Sequence, residues 1–358
     1  MIRAAFLVIL LVALMVTPSF AYEDVGEYIT PEMEEYLPSD IIDEDNVINY
    51  DSLSDRLFSG MADMVKAVVS RLFTILGVVI LTAVFSVYAN TVCGEGLRKC
   101  FSFLSSAVVV IILFGILSDI WEEMSRLLEQ INGFMTGLTP VTTVLYSLGG
   151  NVTTAAVNDS AMSLILTVFE KLCYHGIKPM LQICFGFSIA SALSGNVNLK
   201  PISGLVRKTY TTVLVFSMSM MTCILSLQNL LTRSSDSLAM RTVKFASASS
   251  VPLVGGCLGE ATETVAAGVI SIRSTFGVLA ILAIGIMVLP GILSLWLNKM
   301  AFSIGATLSS VFGLGKESEL INDACELVNF AIAITVSCSV MFIICVAVFA
   351  NASAAIGG

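Results

Sequence analysis

Histidine is almost missing from this chain of 358 residues, which has one, His175. A zinc hydrolase gathers several imidazoles around its metal or carries them on an HExxH helix, so that class is excluded. There is also no GxxxxGK[ST], no GxGxxG opening a helix after a strand, and no GxSxG elbow, which leaves nucleotide hydrolysis, dinucleotide chemistry and serine hydrolysis without their working parts. Charge is scarce: Asp, Glu, Lys and Arg make up 13% of the residues, against about 25% in soluble domains. A net charge of −9 gives no electrostatic footprint for nucleic acid. What fills the space is 56% apolar residues and a mean hydropathy of +0.91. No compact soluble fold of this length hides so much apolar surface except against lipid. The chain reads as an all-α polytopic integral membrane protein.

Lys and Arg are absent from residues 22–55, which hold 12 of the 27 acids. From Arg56 onward 17 bases meet 15 acids. One acidic arm therefore sets the low pI, and the rest is a nearly neutral membrane body. Ahead of the arm, Arg3 precedes an apolar run from Ala4 to Val16 and the small-x-small site Ser19-Phe20-Ala21. Such a run is too short to span a bilayer, which takes about 20 residues. Residues 1–21 are therefore expected to be a cleaved signal peptide, leaving a mature N-terminus at Tyr22 and an extracytoplasmic arm over 22–55.

The membrane body, 56–358, has apolar runs at 72–92, 101–120, 177–193, 210–231, 274–298 and 327–350. A shorter Gly/Ser-rich run at 300–314 suits a short or re-entrant element. Six to seven transmembrane helices are expected. Residues 160–176 are apolar but broken by Glu170, Lys171 and His175, as if leading into the third span. Arg98 with Lys99, and Lys200 with Arg207 and Lys208, put loops 93–100 and 194–209 in the cytoplasm. Residues 232–273 and the acidic stretch Glu317, Glu319, Asp323, Glu326 are then expected outside, the latter if 300–314 crosses; Arg233, Arg241, Lys244 and Arg273 argue against that second half.

In Trp121–Leu138, apolar residues recur at 121, 124, 127, 128, 131, 134, 135 and 138, with Glu122, Glu123, Arg126, Glu129 and Gln130 between them. The period is that of an amphipathic helix, expected either at the outer interface or docked on protein. It runs into Thr139-Pro140 and then Gly149-Gly150. A comparable order leads into Pro252, and Pro140/Pro252 and Pro179/Pro290 keep nearly one offset, consistent either with an internal duplication or with coincidence.

The strongest candidate for a pathway or packing site is Pro252–Val265, PLVGGCLGEATETV. Pro252 interrupts a helix, Gly255, Gly256 and Gly259 permit close approach or unwound backbone, and Glu260 and Glu263 share one helical face. Pro140, Gly149 and Gly150 are candidates on the same reasoning. At membrane depth these groups would line something; in an extracytoplasmic loop the two acids would be solvated. No paired catalytic groups can be placed, so no enzymatic activity, cofactor or metal is expected. The nine cysteines, six of them in or beside apolar segments, read as small hydrophobes.

The signal, acidic arm, span pair around a basic loop, amphipathic helix before Thr139-Pro140 and the PLVGG…GE.TETV stretch together resemble the stage III sporulation protein AE family of endospore-forming bacteria, over essentially the whole chain. That resemblance implies a multi-pass protein of the mother-cell membrane around the forespore, with its acidic arm in the intermembrane space. It implies a role in a multiprotein channel or secretion-like complex joining mother cell and forespore, with other membrane proteins of that complex and the lipid bilayer as partners. Whether a pore is formed by one chain or by a homo-oligomer is left open. A stand-alone secondary transporter is the alternative that the broken helices and repeat would also suit.

Overall fold

The computed structural model of the protein describes the backbone of residues 50–92, 94–149, 151–194, 199–250 and 255–350, and the side chains of 64–89, 91, 94, 96–149, 151–193, 199–227, 268, 272 and 275–350. The signal segment and most of the acidic arm lie outside the described residues; positions 50–55 of the arm open the first helix. The elements are α1 (Tyr50–Val92), α2 (Glu95–Leu148), α3 (Val152–Phe169), α4 (His175–Ser194), α5 (Lys200–Ser250), α6 (Gly255–Val311) and α7 (Gly315–Ala350). One turn of π-helix, Glu170–Tyr174, fuses α3 to α4 into a single crossing. No strand occurs among the described residues, and six helical units are long and apolar enough to cross a membrane. The protein is an all-α polytopic membrane protein.

Several expected boundaries move. Gly133, Gly137 and Pro140 do not interrupt α2, which runs unbroken for 54 residues. Thr139 and its neighbours keep that turn tied together: Thr139 Oγ1 donates to Met135 O at 2.9 Å, and Thr142 and Thr143 both donate to Thr139 O. The amphipathic stretch is therefore the second half of α2 and not a separate interfacial element. All eight of its apolar positions are buried, which docks it on protein. Residues 300–314, expected to form a short seventh element, begin as the last turns of the 57-residue α6 and end in the turn before α7.

Contacts fix the direction of each helix. Lys200 Nζ reaches Glu319 Oε1 at 2.5 Å and Arg207 Nη1 reaches Glu326 Oε2 at 2.9 Å, both pairs separated by 119 residues. The rings of Tyr210 and Phe330 follow at 6.1 Å. A constant offset of this kind is kept only by parallel helices, so α5 and α7 start at the same end. α6 and α7 are antiparallel, joined by a turn in which Gly313 takes φ +74, a conformation without steric penalty only for glycine. At that same end Phe85 and Ala89 of α1 and Arg98 and Lys99 of α2 meet Lys316. Residues 94–100 and 199–209 thus share one face, here termed the inner end.

The acidic stretch 317–326 belongs to this inner end too, and not to the opposite side. The sequence expectation assumed that 300–314 crosses; it instead finishes α6 at the inner end, and the acids turn back to neutralise Lys200 and Arg207. A cysteine placed at Asn322, on a background without the native thiols, should therefore react with a membrane-impermeant maleimide from the same side as a cysteine at Lys208. Reaction from opposite sides would refute this topology.

Register also reveals that the apolar runs do not lie at one height. Ile75 of α1 approaches Gly305 of α6, Glu123 of α2 meets Ser294, and Cys184 Sγ of α4 lies 3.9 Å from Ser203 O. The runs of α1, α2 and α4 therefore occupy an inner tier, against the polar residues that open α5 and α7. The runs 210–231, 274–298 and 327–350 occupy an outer tier, against the amphipathic half of α2 and α3. At 1.5 Å per residue α7 is about 54 Å long and α6 about 86 Å, whereas the hydrocarbon core is about 30 Å thick. Gly277 lies against Ala350, the last residue of α7, so residues 255–276 of α6 extend about 33 Å beyond it.

Candidate functional site

The two tiers meet in a polar belt. Arg71 stands just before the apolar run of α1, Glu123 just after that of α2, and Asn298 at the end of the outer-tier run of α6. Arg71 Nη1 lies 3.4 Å from Glu123 Oε2 and donates to Asn298 Oδ1 at 3.2 Å. Ser294 Oγ donates to the other oxygen of the Glu123 carboxylate, and Asn298 Nδ2 donates to Ser294 O at 2.9 Å. Ser294 and Asn298 are buried, while Arg71 keeps 19% and Glu123 35% of its side-chain surface. The cation and the anion thus each find a charge partner and a neutral polar partner, the condition for holding ions away from water. Lys299 Nζ continues the belt to Asn329 Oδ1 of α7 at 2.7 Å, and the Tyr210 hydroxyl of α5 donates to Leu172 O in the π turn.

A cleft of about 570 Å³ opens beside Arg71, between α1, α2 and α6. Asp119, Glu122, Glu123, Arg126 and Gln130 line it from α2, and Pro290-Gly291 from α6. Arg126 and Glu122 pair with each other at 2.6 Å on its exposed rim.

The third crossing carries a second polar feature. Asp159, Ser160, Ser163, Thr167, Glu170, Lys171, His175 and Gln182 are all exposed and recur at helical spacing, with few large apolar residues among them. The π turn falls in the middle of this stripe, where it re-phases the helix and sets Glu170 Oε1 3.6 Å from His175 Nε2, with 51% and 63% of the two side chains exposed. π-bulges are frequent at functional sites. Its depth is set by two contacts: Phe169 stacks edge-on against Phe342 at 4.6 Å, and Cys173 Sγ lies 3.1 Å from Cys338 Sγ. Both partners stand in the middle of the 327–350 apolar run. Ionisable groups at such depth need water or protein over them, because lipid satisfies neither charge nor hydrogen bond.

Of the residues selected from sequence, Gly255, Gly256, Gly259, Glu260 and Glu263 belong to the first turns of α6, in the part that extends beyond the end of α7; Pro252 lies outside the described residues. Pro140 is inside α2 and exposed, Gly149 caps α2 with its N–H bonded to Leu145 O, and Gly150 is outside the described residues. None of them joins the belt. Pro179 and Pro290 both lie in helices running toward the inner end, the latter at the cleft. Arg71, Ser294 and Asn298 were missed in the sequence. Their signal was positional: a charge or amide at the end of an apolar run looks like a headgroup contact when each run is taken alone.

The family model described as stage III sporulation protein AE matches residues 32–353. A relative from Bacillus subtilis (strain 168), also named stage III sporulation protein AE, is 21% identical over 310 residues, covering 83% of this chain and 77% of the relative. No solved structure matches. With all six membrane-spanning units inside the family match, this multi-pass chain belongs to the stage III sporulation protein AE family, and its role lies in sporulation.

Proposed function

We propose that the protein is a membrane subunit, and the permease-like core, of a multiprotein channel or secretion-like complex that links mother cell and forespore during endospore formation. The observation that carries this reading is the polar stripe of α3 and α4, exposed level with the outer apolar tier. A lone chain in lipid would leave Glu170, Lys171 and His175 without solvation, whereas a subunit covers them with other proteins or turns them toward a water-filled path. The basic inner end supports a cytoplasmic placement by the positive-inside rule, and both the acidic arm and the end of α7 then lie outside the cytoplasm, in the intermembrane space. The chain acts without catalysis of its own, in the mother-cell membrane around the forespore.

The cleft beside Arg71 favours a second reading, a solute carrier working alone. One purification separates the two. A tagged full-length chain taken from sporulating cells in mild detergent should bring other membrane proteins with it. Reconstituted alone, it should pass no more solute than empty vesicles. Recovery as a single species that moves a solute by itself would overturn the subunit reading.

A further inference from the structure

At the inner end, away from the belt and the stripe, a pocket of about 330 Å³ lies between the end of α1, the start of α2 and the turn joining α6 to α7. That is at the low end of the roughly 300–1,000 Å³ typical of ligand pockets. Arg98, Lys99 and Lys316 bring three positive charges to it from two helices. Ser86, Ser102 and Ser105 line the wall between them. The Ser105 hydroxyl is buried and has no hydrogen-bond partner among the described residues, a costly state for a polar group unless a ligand or water completes it. One carboxylate, Glu317, also lines the pocket, but its residue is buried and its Oε1 accepts a bond from Ser106 Oγ at 2.9 Å. That carboxylate is thus engaged by a neutral hydroxyl, and Arg98 and Lys316 line the pocket beside it.

The surroundings decide what kind of anion fits. Phe85 and Phe101 line the pocket itself, and Leu97, Phe103, Leu104 and Phe312 stand exposed on the adjoining helices and turn, with Val311 beside them 75% exposed. A cationic, hydroxyl-lined pocket opening beside an exposed apolar surface matches an amphiphile with a phosphate head and acyl tails. Basic pockets between transmembrane helices on the cytoplasmic side bind such headgroups. We propose that this pocket binds the phosphate of an anionic phospholipid, with Arg98 and Lys316 supplying the charge, Lys99 at the rim, and Ser105 donating to a phosphate oxygen. The site would anchor the α1–α2 hairpin to the α6–α7 turn through the lipid.

The test is thermal unfolding of the full-length protein in a zwitterionic detergent, titrated in parallel with phosphatidylglycerol, phosphatidylcholine and inorganic phosphate. Phosphatidylglycerol should raise the midpoint saturably, and the other two should not. The triple change Arg98→Gln, Lys99→Gln, Lys316→Gln should raise the lipid concentration needed for half the effect at least tenfold, whereas Lys208→Gln, an exposed cation on the same end, should leave it unchanged. Should the triple variant not accumulate, Lys316→Gln and Ser105→Val singly should each raise it at least threefold. An equal saturable rise with inorganic phosphate would overturn the lipid assignment. So would a response to phosphatidylcholine, unchanged titration in the pocket variants, or an equal weakening by Lys208→Gln.

Discussion

Gly277→Leu should remove the folded protein from the membrane, with no signal at the wild-type position in detergent size-exclusion chromatography and no spores formed. A β-carbon at Gly277 would lie 2.3 Å from the β-carbon of Ala350 and 3.2 Å from its α-carbon. The first contact is the more severe, and it cannot be relieved by a rotamer change, because an alanine β-carbon is fixed by its backbone. At Gly291 the nearest atom is instead the tip of the flexible Leu127 side chain, so Gly291→Ala should be the milder of the two. Overpacking usually costs about 1–3 kcal/mol, and at Gly277 relief requires α6 and α7 to move apart as whole helices. That hairpin is the most extensive pairing among the described residues, and in membranes such close approach replaces the hydrophobic drive that lipid removes. Normal accumulation of Gly277→Leu would show that α6 and α7 do not pack in this register.

The tiered arrangement explains what could be read from the amino-acid sequence and what could not. Each apolar run is a local property, and six of them are visible as windows of hydropathy. Amphipathicity is local too, so the buried face of Trp121–Leu138 was legible residue by residue. Relative height is not local. It is set by pairs such as Ser294 and Glu123, 171 residues apart, and Lys200 and Glu319, 119 apart, which no window contains. Apolar runs taken one at a time leave Arg71 and Asn298 without partners, and taking 300–314 as a crossing sends the acidic stretch 317–326 to the opposite face. The Pro252–Val265 segment stood out for composition, since glycine and proline inside an apolar chain are conspicuous. The belt residues, an arginine and an asparagine at run ends and a serine within a run, are ordinary until their partners are known.

The belt itself gives the second large effect. Arg71→Leu should sharply reduce the folded yield, because it strands the Glu123 carboxylate between α1, α2 and α6 with only Ser294 to hydrogen-bond it. Removing one member of a fully buried pair costs about 3–5 kcal/mol; with Arg71 19% and Glu123 35% exposed, solvent screening lowers the expectation to about 1–3 kcal/mol. The double change Arg71→Leu, Glu123→Leu removes both charges at once. Apolar replacement of a whole pair is often neutral or stabilising, so the double variant should recover wild-type membrane levels and thermal midpoint. Sporulation then separates structure from function. If the belt only joins the two tiers, the double variant should sporulate normally. The expected result is a well-folded protein that fails to support spore formation by at least a hundredfold, because the cleft loses two of the charged groups that line it, Arg71 and Glu123. Spore counts restored along with protein level would reduce the belt to a packing device.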